Sequence, residues 1–365
     1  MSEARTRGPV RIVGAGLLGA SIGLALRAKG VEVILDDVSP ATVTLAIDYG
    51  AGRAAAPDDH PSLIVVCVPP DVTARTVAAE LAAHPHALVT DVASVKLAPL
   101  TELRALGADV SRYIGSHPMA GRERGGAVSA RADLFVGRPW VVANHDGIAD
   151  RRTADLTIEA LALDLGAVPI EMEAAEHDRS VALVSHVPQI ISSLLAARLE
   201  DASDAAVGLA GQGLRDTTRI ASSNPELWVQ ILTANAEPVV EVLRAYRDEL
   251  DAVIASLSEH AAPGARRAIA EALAGGNAGV ARIPGKHGQA KHFASLVIMV
   301  ADRPGELARL LTEIGAAGVN MEDLRLEHSP GAQIGLAEIG VLPEVAGRLA
   351  EELESRGWKI AGAFS

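Results

Sequence analysis

The chain has one cysteine and very few aromatic residues. Cys67 is the single cysteine in 365 residues, so no disulfide can form within the chain. This usage is typical of proteins from a reducing compartment. Phe, Trp and Tyr make up 2% of the residues although 49% are hydrophobic. The cores are therefore expected to consist mainly of Ala, Leu, Val and Ile.

Basic charge and long apolar segments are also scarce. The formal net charge of −13 argues against a nucleic acid or an anionic membrane as partner. The first ten residues, MSEARTRGPV, contain no apolar signal core, and we find no uninterrupted apolar run long enough to span a bilayer. We expect a cytoplasmic protein without a membrane partner. A small anionic substrate stays possible, because arginines at the site, and not the net charge, decide whether an anion binds.

A glycine-rich turn near the N-terminus predicts a dinucleotide site. The apolar run Val10–Val13 leads into the sequence GAGLLG, and the following residues are helical in pattern. Strand, glycine turn and helix N-terminus together bind a pyrophosphate. The predicted cofactor-binding residues of this turn are Gly14, Gly16, Leu17, Leu18 and Gly19. A second strand ends in Asp36-Asp37, at the distance where an acid binds the adenosine ribose.

Residues 8–172 alternate short apolar runs with helical patterns, which predicts an α/β Rossmann domain with a mostly parallel sheet. The predicted strands are Val10–Val13, Val31–Leu35, Leu63–Val68, Ala87–Asp91, Tyr113–Ser116, Trp140–Ala143 and Val168–Glu171. Ligands of such sheets bind beyond the carboxyl ends of the strands. Residues at these ends are therefore the candidate site.

Three strand ends carry candidate residues. Val68-Pro69-Pro70 is either a loop against the cofactor or a plain strand terminator. After Asp91, Ser94 is placed where a helix would begin, so it is a helix N-cap, a ligand contact or both. His117 follows the fifth predicted strand and precedes a glycine-rich loop. Histidine is the side chain best suited to accept a proton near neutral pH, so His117 is either a catalytic base or a structural or solvated histidine.

Residues 173–275 predict an all-α domain for substrate binding and dimerisation, with long helices over Glu173–Leu199 and Pro225–Leu257. Pro188 predicts a kink in the first. Arg219 is either a guanidinium that binds a substrate carboxylate or a surface arginine paired with an acid. The histidines lack metal-ligand spacing, so no metal is expected.

Residues 276–291, rich in glycine and basic side chains, predict a linker. Residues 292–365 predict strands and helices in the order βαββαβ, which is a ferredoxin-like unit.

The motifs GAGLLG, DVASVK, GSHPMAG, HDRSVALVSHVPQ and RDTTRIA occur in this order and resemble the prephenate dehydrogenase family over residues 9–260. The tail, with DRPGEL and GVNM, is similar to an ACT domain. The resemblance implies oxidative decarboxylation of prephenate to 4-hydroxyphenylpyruvate in tyrosine biosynthesis, with hydride passed to NAD⁺. It also implies a homodimer.

The resemblance assigns roles to individual residues. His117 accepts the hydrogen bond of the substrate hydroxyl, and Ser94 orients that hydroxyl. Arg219 binds a carboxylate. The remaining residues expected at the substrate are Gly213, Asp216, Glu123, His186 and Gln189. The expected cofactor contacts beyond the turn are Asp37, Val68, Pro69, Pro70 and Asp91. Asp37 at the ribose favours NAD⁺ over NADP⁺.

One departure leaves the substrate open. The segment that often ends SHLPH in this family is SHVPQ here, so Gln189 replaces a histidine. Arogenate, with an amino group where prephenate has a keto oxygen, is the alternative. A β-hydroxy-acid dehydrogenase with a helix-borne lysine and a non-catalytic amino-acid sensor are less favoured. In the tail, Gly305 and Asn320 are expected where such domains contact an effector such as tyrosine. A tail that serves only structure or dimerisation is the alternative.

Overall fold

The computed structural model describes residues 3–121, 126–283, 293–328 and 334–364. The chain divides into two compact units. The first comprises residues 1–201 and 218–246, and the second comprises residues 202–217 and 247–365.

A parallel sheet of five strands, in the order β3-β2-β1-β4-β5, forms the centre of the first unit. Its strands are β1 (Val10–Val13), β2 (Val33–Asp36), β3 (Arg53–Ala54), β4 (Leu63–Val66) and β5 (Leu88–Asp91). Its helices are α1 (Leu17–Ala28), α2 (Pro40–Asp48), α3 (Pro70–Ala83) and α4 (Leu97–Ala105). All four residues of β4 are buried, as expected for a strand with helices on both faces. The two exposed residues of β3 form no apolar run, which is why this strand was not predicted.

The next three strands form a separate sheet, in the order β6-β7-β8. They are β6 (Gly115–Pro118), β7 (Pro139–Asn144) and β8 (Val168–Glu173), and α5 (Arg151–Asp164) joins the last two. The expectation of one mostly parallel sheet is wrong here, because β6 runs antiparallel to β7. Among the described residues, a single bridge between Val89 and Tyr113 pairs β5 with the approach to β6. His117 consequently lies inside β6 rather than after a strand.

The helical part of the first unit is interrupted at two places. Helix α6 (Ala174–Val181) passes through a π-helical turn, Ala182–His186, into α7 (Val187–Ala197). The wide turn immediately precedes Pro188, which has no N–H to continue regular hydrogen bonding. The second predicted helix ends at Ala234 and restarts after Asn235, as α10 (Pro225–Ala234) and α11 (Ala236–Ser258).

The helical stretch Ala174–Ala197 is long and apolar enough to cross a membrane by length and composition alone. This finding differs from the expectation that no such stretch exists. The same stretch carries His177, Asp178 and His186, which are all at most 2% exposed and are hydrogen-bonded to other elements of the first unit. These polar contacts are those of a helix packed inside a protein.

The second unit ends in a four-stranded antiparallel sheet, ordered β10-β11-β9-β12. The elements of this unit are α8 (Asp204–Gly208), α9 (Gln212–Thr218), α12 (Ala265–Val280), β9 (Ala294–Ala301), α13 (Glu306–Ala316), β10 (Asp323–His328), β11 (Ile334–Val341), α14 (Pro343–Ser355) and β12 (Lys359–Phe364). Burial alternates along β9, as in a sheet with one covered face. The order βαββαβ and the sheet order are those of the expected ferredoxin-like unit. Helix α12 extends through residues 276–280 of the predicted linker, and residues 284–291 lie outside the described residues.

Candidate active site

The glycine turn between β1 and α1 has the geometry of a phosphate-binding loop. Gly14 has a φ of +100°, and a Cβ there would lie 2.5 Å from the carbonyl oxygen of Cys67. A Cβ on Gly19 would overlap the carbonyl oxygen of Gly14. By contrast, a Cβ on Gly16 would meet no atom within 4 Å. Gly16 is therefore dispensable for packing, and its missing side chain leaves room beside the N-terminus of α1, which Leu17 and Leu18 begin.

The two acids after β2 have different partners. Asp36 forms an ion pair with Arg11 at 2.6 Å. The carboxylate of Asp37 accepts from the backbone N–H of Ala15 at 2.8 Å and from that of Ser39 at 2.9 Å. Asp37 is thus the acid that lies against the glycine turn.

The Val68-Pro69-Pro70 segment leads directly into a helix. Pro69 is the N-cap of α3 and Pro70 is its first residue, where a missing N–H has no cost. Pro69 is exposed, whereas Val68 and Pro70 are half-buried. The segment therefore ends a strand and starts a helix at the carboxyl edge of the parallel sheet.

A buried ion pair lies at the end of β5. The Lys96 ammonium donates to Asp91 and, at 2.7 Å, to the carbonyl oxygen of Ser116. The Tyr113 hydroxyl donates to the second oxygen of Asp91 at 2.7 Å. Burial lowers the pKa of Lys96, and the Asp91 carboxylate opposes that shift. Burial and Asp91 raise the pKa of Tyr113 well above its usual value.

The side chain of Asp91 is directed into the protein, and a cofactor contact of this residue stays a prediction. Asp91 is 0% exposed, and its carboxylate is used by internal donors. Its effect is to hold Lys96 beneath the strand that carries His117.

His117 is half-buried on β6 and belongs to a row of hydrogen-bonded side chains. Its Nδ1 lies 2.9 Å from Nε2 of His177, and Nδ1 of His177 lies 2.7 Å from the carboxylate of Asp178. Burial lowers the pKa of His117 well below its usual value, and the nearby charges of His177, Lys96 and His186 act in the same direction. A neutral imidazole is the form that accepts a proton.

Asp178 also caps helix α4. Its two carboxylate oxygens accept from the backbone N–H groups of Lys96 and Leu97, both at 2.8 Å. The helix begins at Leu97, so the expectation that Ser94 sits at a helix start is wrong by three residues. Ser94 is half-buried in the bend that precedes the helix.

The predicted substrate residues of α7 and its approach are internal. His186 is 1% exposed, its Nδ1 lies 3.0 Å from the amide nitrogen of Asn235, and its ring packs edge-on against Trp228. Burial lowers the pKa of His186 to about 4. The described contacts of His186 are thus with other protein residues, and a substrate contact of this residue stays a prediction.

Gln189 connects α7 to the segment that carries Arg219. Its amide nitrogen donates to the Ser223 hydroxyl at 2.7 Å, and the residue is 6% exposed. The 3₁₀ turn Arg219–Ala221 packs against α7, and Arg219 itself is exposed. In this structure Gln189 anchors the arginine turn and does not present its amide to solvent.

Other predicted residues lie outside this group. Gly213 and Asp216 are on α9 in the second unit, where Asp216 accepts from Gln212 at 2.8 Å. Gly305 and Asn320 are exposed in the ferredoxin-like unit, with Gly305 as the N-cap of α13. Glu123 lies outside the described residues.

Four residues of the site are not among those predicted from the sequence. Lys96, His177, Asp178 and Asn235 received no role, although three of them stand within the motifs DVASVK and HDRSVALVSHVPQ. A charged residue inside an otherwise apolar pattern is the signal that could have revealed Lys96, because buried charges need partners. Asn235 carries no signal of this kind.

Comparison with known proteins identifies the family of this chain. The family model for the prephenate dehydrogenase nucleotide-binding domain matches residues 22–168, and the model for the prephenate dehydrogenase dimerization domain matches residues 173–271. A probable prephenate dehydrogenase, NovF, of Streptomyces niveus is 36% identical, with coverage of 95% of this chain and 98% of NovF.

Two solved structures are similar in fold and sequence. Arogenate dehydrogenase of Synechocystis is 29% identical with a TM-score of 0.61, covering 74% of this chain and 99% of that one. Prephenate dehydrogenase of A. aeolicus, in complex with hydroxyphenyl propionate and NAD⁺, is 25% identical with a TM-score of 0.63, covering 72% of this chain and 94% of that one. Together with the matched domains, these relatives place the chain in the prephenate dehydrogenase family.

Proposed function

We propose that this protein converts prephenate to 4-hydroxyphenylpyruvate by NAD-dependent oxidative decarboxylation. The observation that carries the proposal is the position of His117. Its Nδ1 is engaged by His177, so Nε2 is the nitrogen that remains for a substrate hydroxyl. Family membership and the relatives named above support the same reaction.

The glycine turn fits NAD⁺. The open space at Gly16 and the N-terminus of α1 suit a pyrophosphate, and Asp37 lies beside the turn where a ribose would bind. A carboxylate there repels a 2′-phosphate, so we expect NAD⁺ to be preferred over NADP⁺. NAD⁺, when bound, supplies the acceptor for the hydride that leaves the substrate ring.

The residues of this chain then handle the proton and the carboxylates. As hydride leaves the hydroxyl-bearing ring carbon, the hydroxyl proton passes to Nε2 of His117. Loss of carbon dioxide makes the ring aromatic, and the phenolate oxygen that results takes the proton back from His117. Ser94 orients the hydroxyl, and Arg219 binds a substrate carboxylate through its guanidinium fork. The substrate contacts expected of Gly213, Asp216 and Glu123 stay predictions from the sequence.

Arogenate is a second candidate substrate, favoured by one observation. Gln189 replaces the histidine of the family motif, and the structure uses its amide to anchor the arginine turn. The similarity to Synechocystis arogenate dehydrogenase gives this alternative weight.

An NADH absorbance assay with each substrate and each cofactor tests both proposals. We expect turnover of prephenate with NAD⁺ at a kcat/KM at least tenfold above that with arogenate, and at least tenfold above that with NADP⁺. A higher kcat/KM with arogenate would transfer the assignment to arogenate dehydrogenase. No NADH formation with either substrate would refute both.

We also propose that the protein works in the cytoplasm as a homodimer and that tyrosine regulates it through the ferredoxin-like unit. The matched dimerization domain supports the assembly. Gly305 and Asn320 are the candidate effector contacts, and both are exposed. Calorimetry on the full chain should detect tyrosine, with weaker binding to N320A. Absence of any heat of binding, or a monomer in analytical ultracentrifugation, would contradict the respective proposal.

A further inference from the structure

Two buried residues outside the expected site form a row of hydrogen bonds with His117. His177 and Asp178 begin the second turn of α6 and are 0% and 2% exposed. The hydrogen bonds run from Nδ1 of His117 to Nε2 of His177 at 2.9 Å, and from Nδ1 of His177 to Asp178 at 2.7 Å. The two rings meet edge to face, with an interplanar angle of 77°.

The chemistry of these atoms fixes where each proton sits. An ionised carboxylate only accepts hydrogen bonds, so Nδ1 of His177 carries a proton. In a neutral imidazole the other nitrogen is then an acceptor, so Nε2 of His177 accepts from Nδ1–H of His117. The lone pair of His117 is left on Nε2.

We propose that His177 and Asp178 are positioning residues that hold His117 in the tautomer able to accept the substrate proton. This inference deepens the proposed function and rests on it for its catalytic consequence. The tautomer itself is a property of the protein without substrate.

Asp178 is suited to this task because other hydrogen-bond donors hold its carboxylate in place. It accepts from the backbone N–H groups of Lys96 and Leu97 in addition to His177. The backbone carbonyl oxygen of Asp178 accepts from the side-chain amide of Asn235 at 2.8 Å. The same amide nitrogen also faces His186. The hydrogen bonds to the carboxylate restrict its rotation. The orientation of the His177 ring is therefore set from α4 and from the start of α11.

Two amide substitutions separate positioning from simple packing. In His177→Asn the short side chain can reach Asp178 but not His117. In His177→Gln the longer side chain can present its amide oxygen near the place of Nε2. Both variants keep a polar side chain of similar character on α6, so each controls for the other.

We expect kcat of His177→Asn to fall about 10- to 100-fold, part of the roughly 10²–10⁴-fold effect of a positioned base, with the KM values for both substrates within about twofold. We expect His177→Gln to recover to within about fivefold of the unsubstituted enzyme. Recovery of kcat is a result that a merely structural role would not give. Equal kcat in His177→Asn and the unsubstituted enzyme would overturn the proposal.

Nitrogen-15 spectra of enzyme labelled at histidine provide a readout independent of turnover. The His117 signals, assigned with His117→Asn, should show a protonated Nδ1 and an unprotonated Nε2, and His177→Asn should shift the population toward protonated Nε2. A protonated Nε2 in the unsubstituted enzyme overturns the tautomer assignment even where prephenate is turned over. If the expected tautomer is seen but no prephenate is oxidised, the proposed function fails alone.

Discussion

The ammonium of Lys96 is hydrogen-bonded to the carboxylate of Asp91, and the two side chains are 1% and 0% exposed. This pair joins the end of β5 to β6 through the carbonyl oxygen of Ser116. A buried charge without its partner is costly, whereas a satisfied pair is tolerated. The strand that carries His117 therefore depends on this buried ion pair.

Replacing Lys96 by methionine should destabilise the protein by about 3–5 kcal/mol, because Asp91 would remain buried without its cation. Urea unfolding followed by circular dichroism measures the effect. The double variant Lys96→Met with Asp91→Asn should regain part of the lost stability, since it removes the unpaired charge. A loss of less than about 1 kcal/mol in Lys96→Met would show that the pair is not coupled as described.

Substitution of His117 by asparagine should lower kcat about 10²–10⁴-fold, because the base is lost from the site. Affinity for NAD⁺, measured by calorimetry, should stay within about twofold, since the glycine turn is untouched. The matched control is His60→Asn, the same substitution at an exposed position. Near-normal kcat in His117→Asn would remove this residue from the mechanism.

Two alanine substitutions in the glycine turn should have opposite consequences. Gly16→Ala meets no atom within 4 Å, so the melting temperature should be unchanged while the KM for NAD⁺ rises about tenfold or more. Gly19→Ala would overlap the Gly14 carbonyl oxygen, so the protein should be strongly destabilised. A Gly16→Ala enzyme with normal KM would argue that the pyrophosphate does not approach this glycine.

The sequence predicted those parts of the fold in which local pattern and tertiary structure agree. Strand β1, the glycine turn and helix α1 follow directly from alternating apolar and glycine residues, and the βαββαβ order of the tail follows from one-faced strands such as β9. The separate second sheet was not predictable in this way. Strand direction in β6 depends on the course of the intervening loop, which apolar periodicity does not encode.

The candidate site also has a part that the sequence predicts and a part that it does not. His117 was identified because of its residue type and its place near a strand end. His177 and Asp178 act through hydrogen bonds across 60 and 82 positions of sequence, and separation of this size leaves no local pattern. His186 and Gln189 were assigned to substrate because their positions match the family motif. Whether such side chains point toward the substrate or toward Asn235 and Ser223 is decided by packing.

Acid should destabilise this protein through its buried histidines. Burial lowers the pKa of His117 well below 6.5, lowers that of His145, and lowers that of His186 from 6.5 to about 4. Between about pH 6.5 and 4 the unfolded chain therefore binds protons that the native state does not. Because stability rises with pH wherever the unfolded state binds more protons, the free energy of unfolding should fall as pH decreases through this window.

Urea unfolding at pH 7.5, 6.5 and 5.5 measures the slope, and these values lie above the range in which most carboxylates titrate. His186→Gln should flatten the slope, whereas the same substitution at exposed His60 should leave it unchanged. A free energy of unfolding that is constant from pH 7.5 to 5.5 would contradict the burial of neutral imidazoles described here.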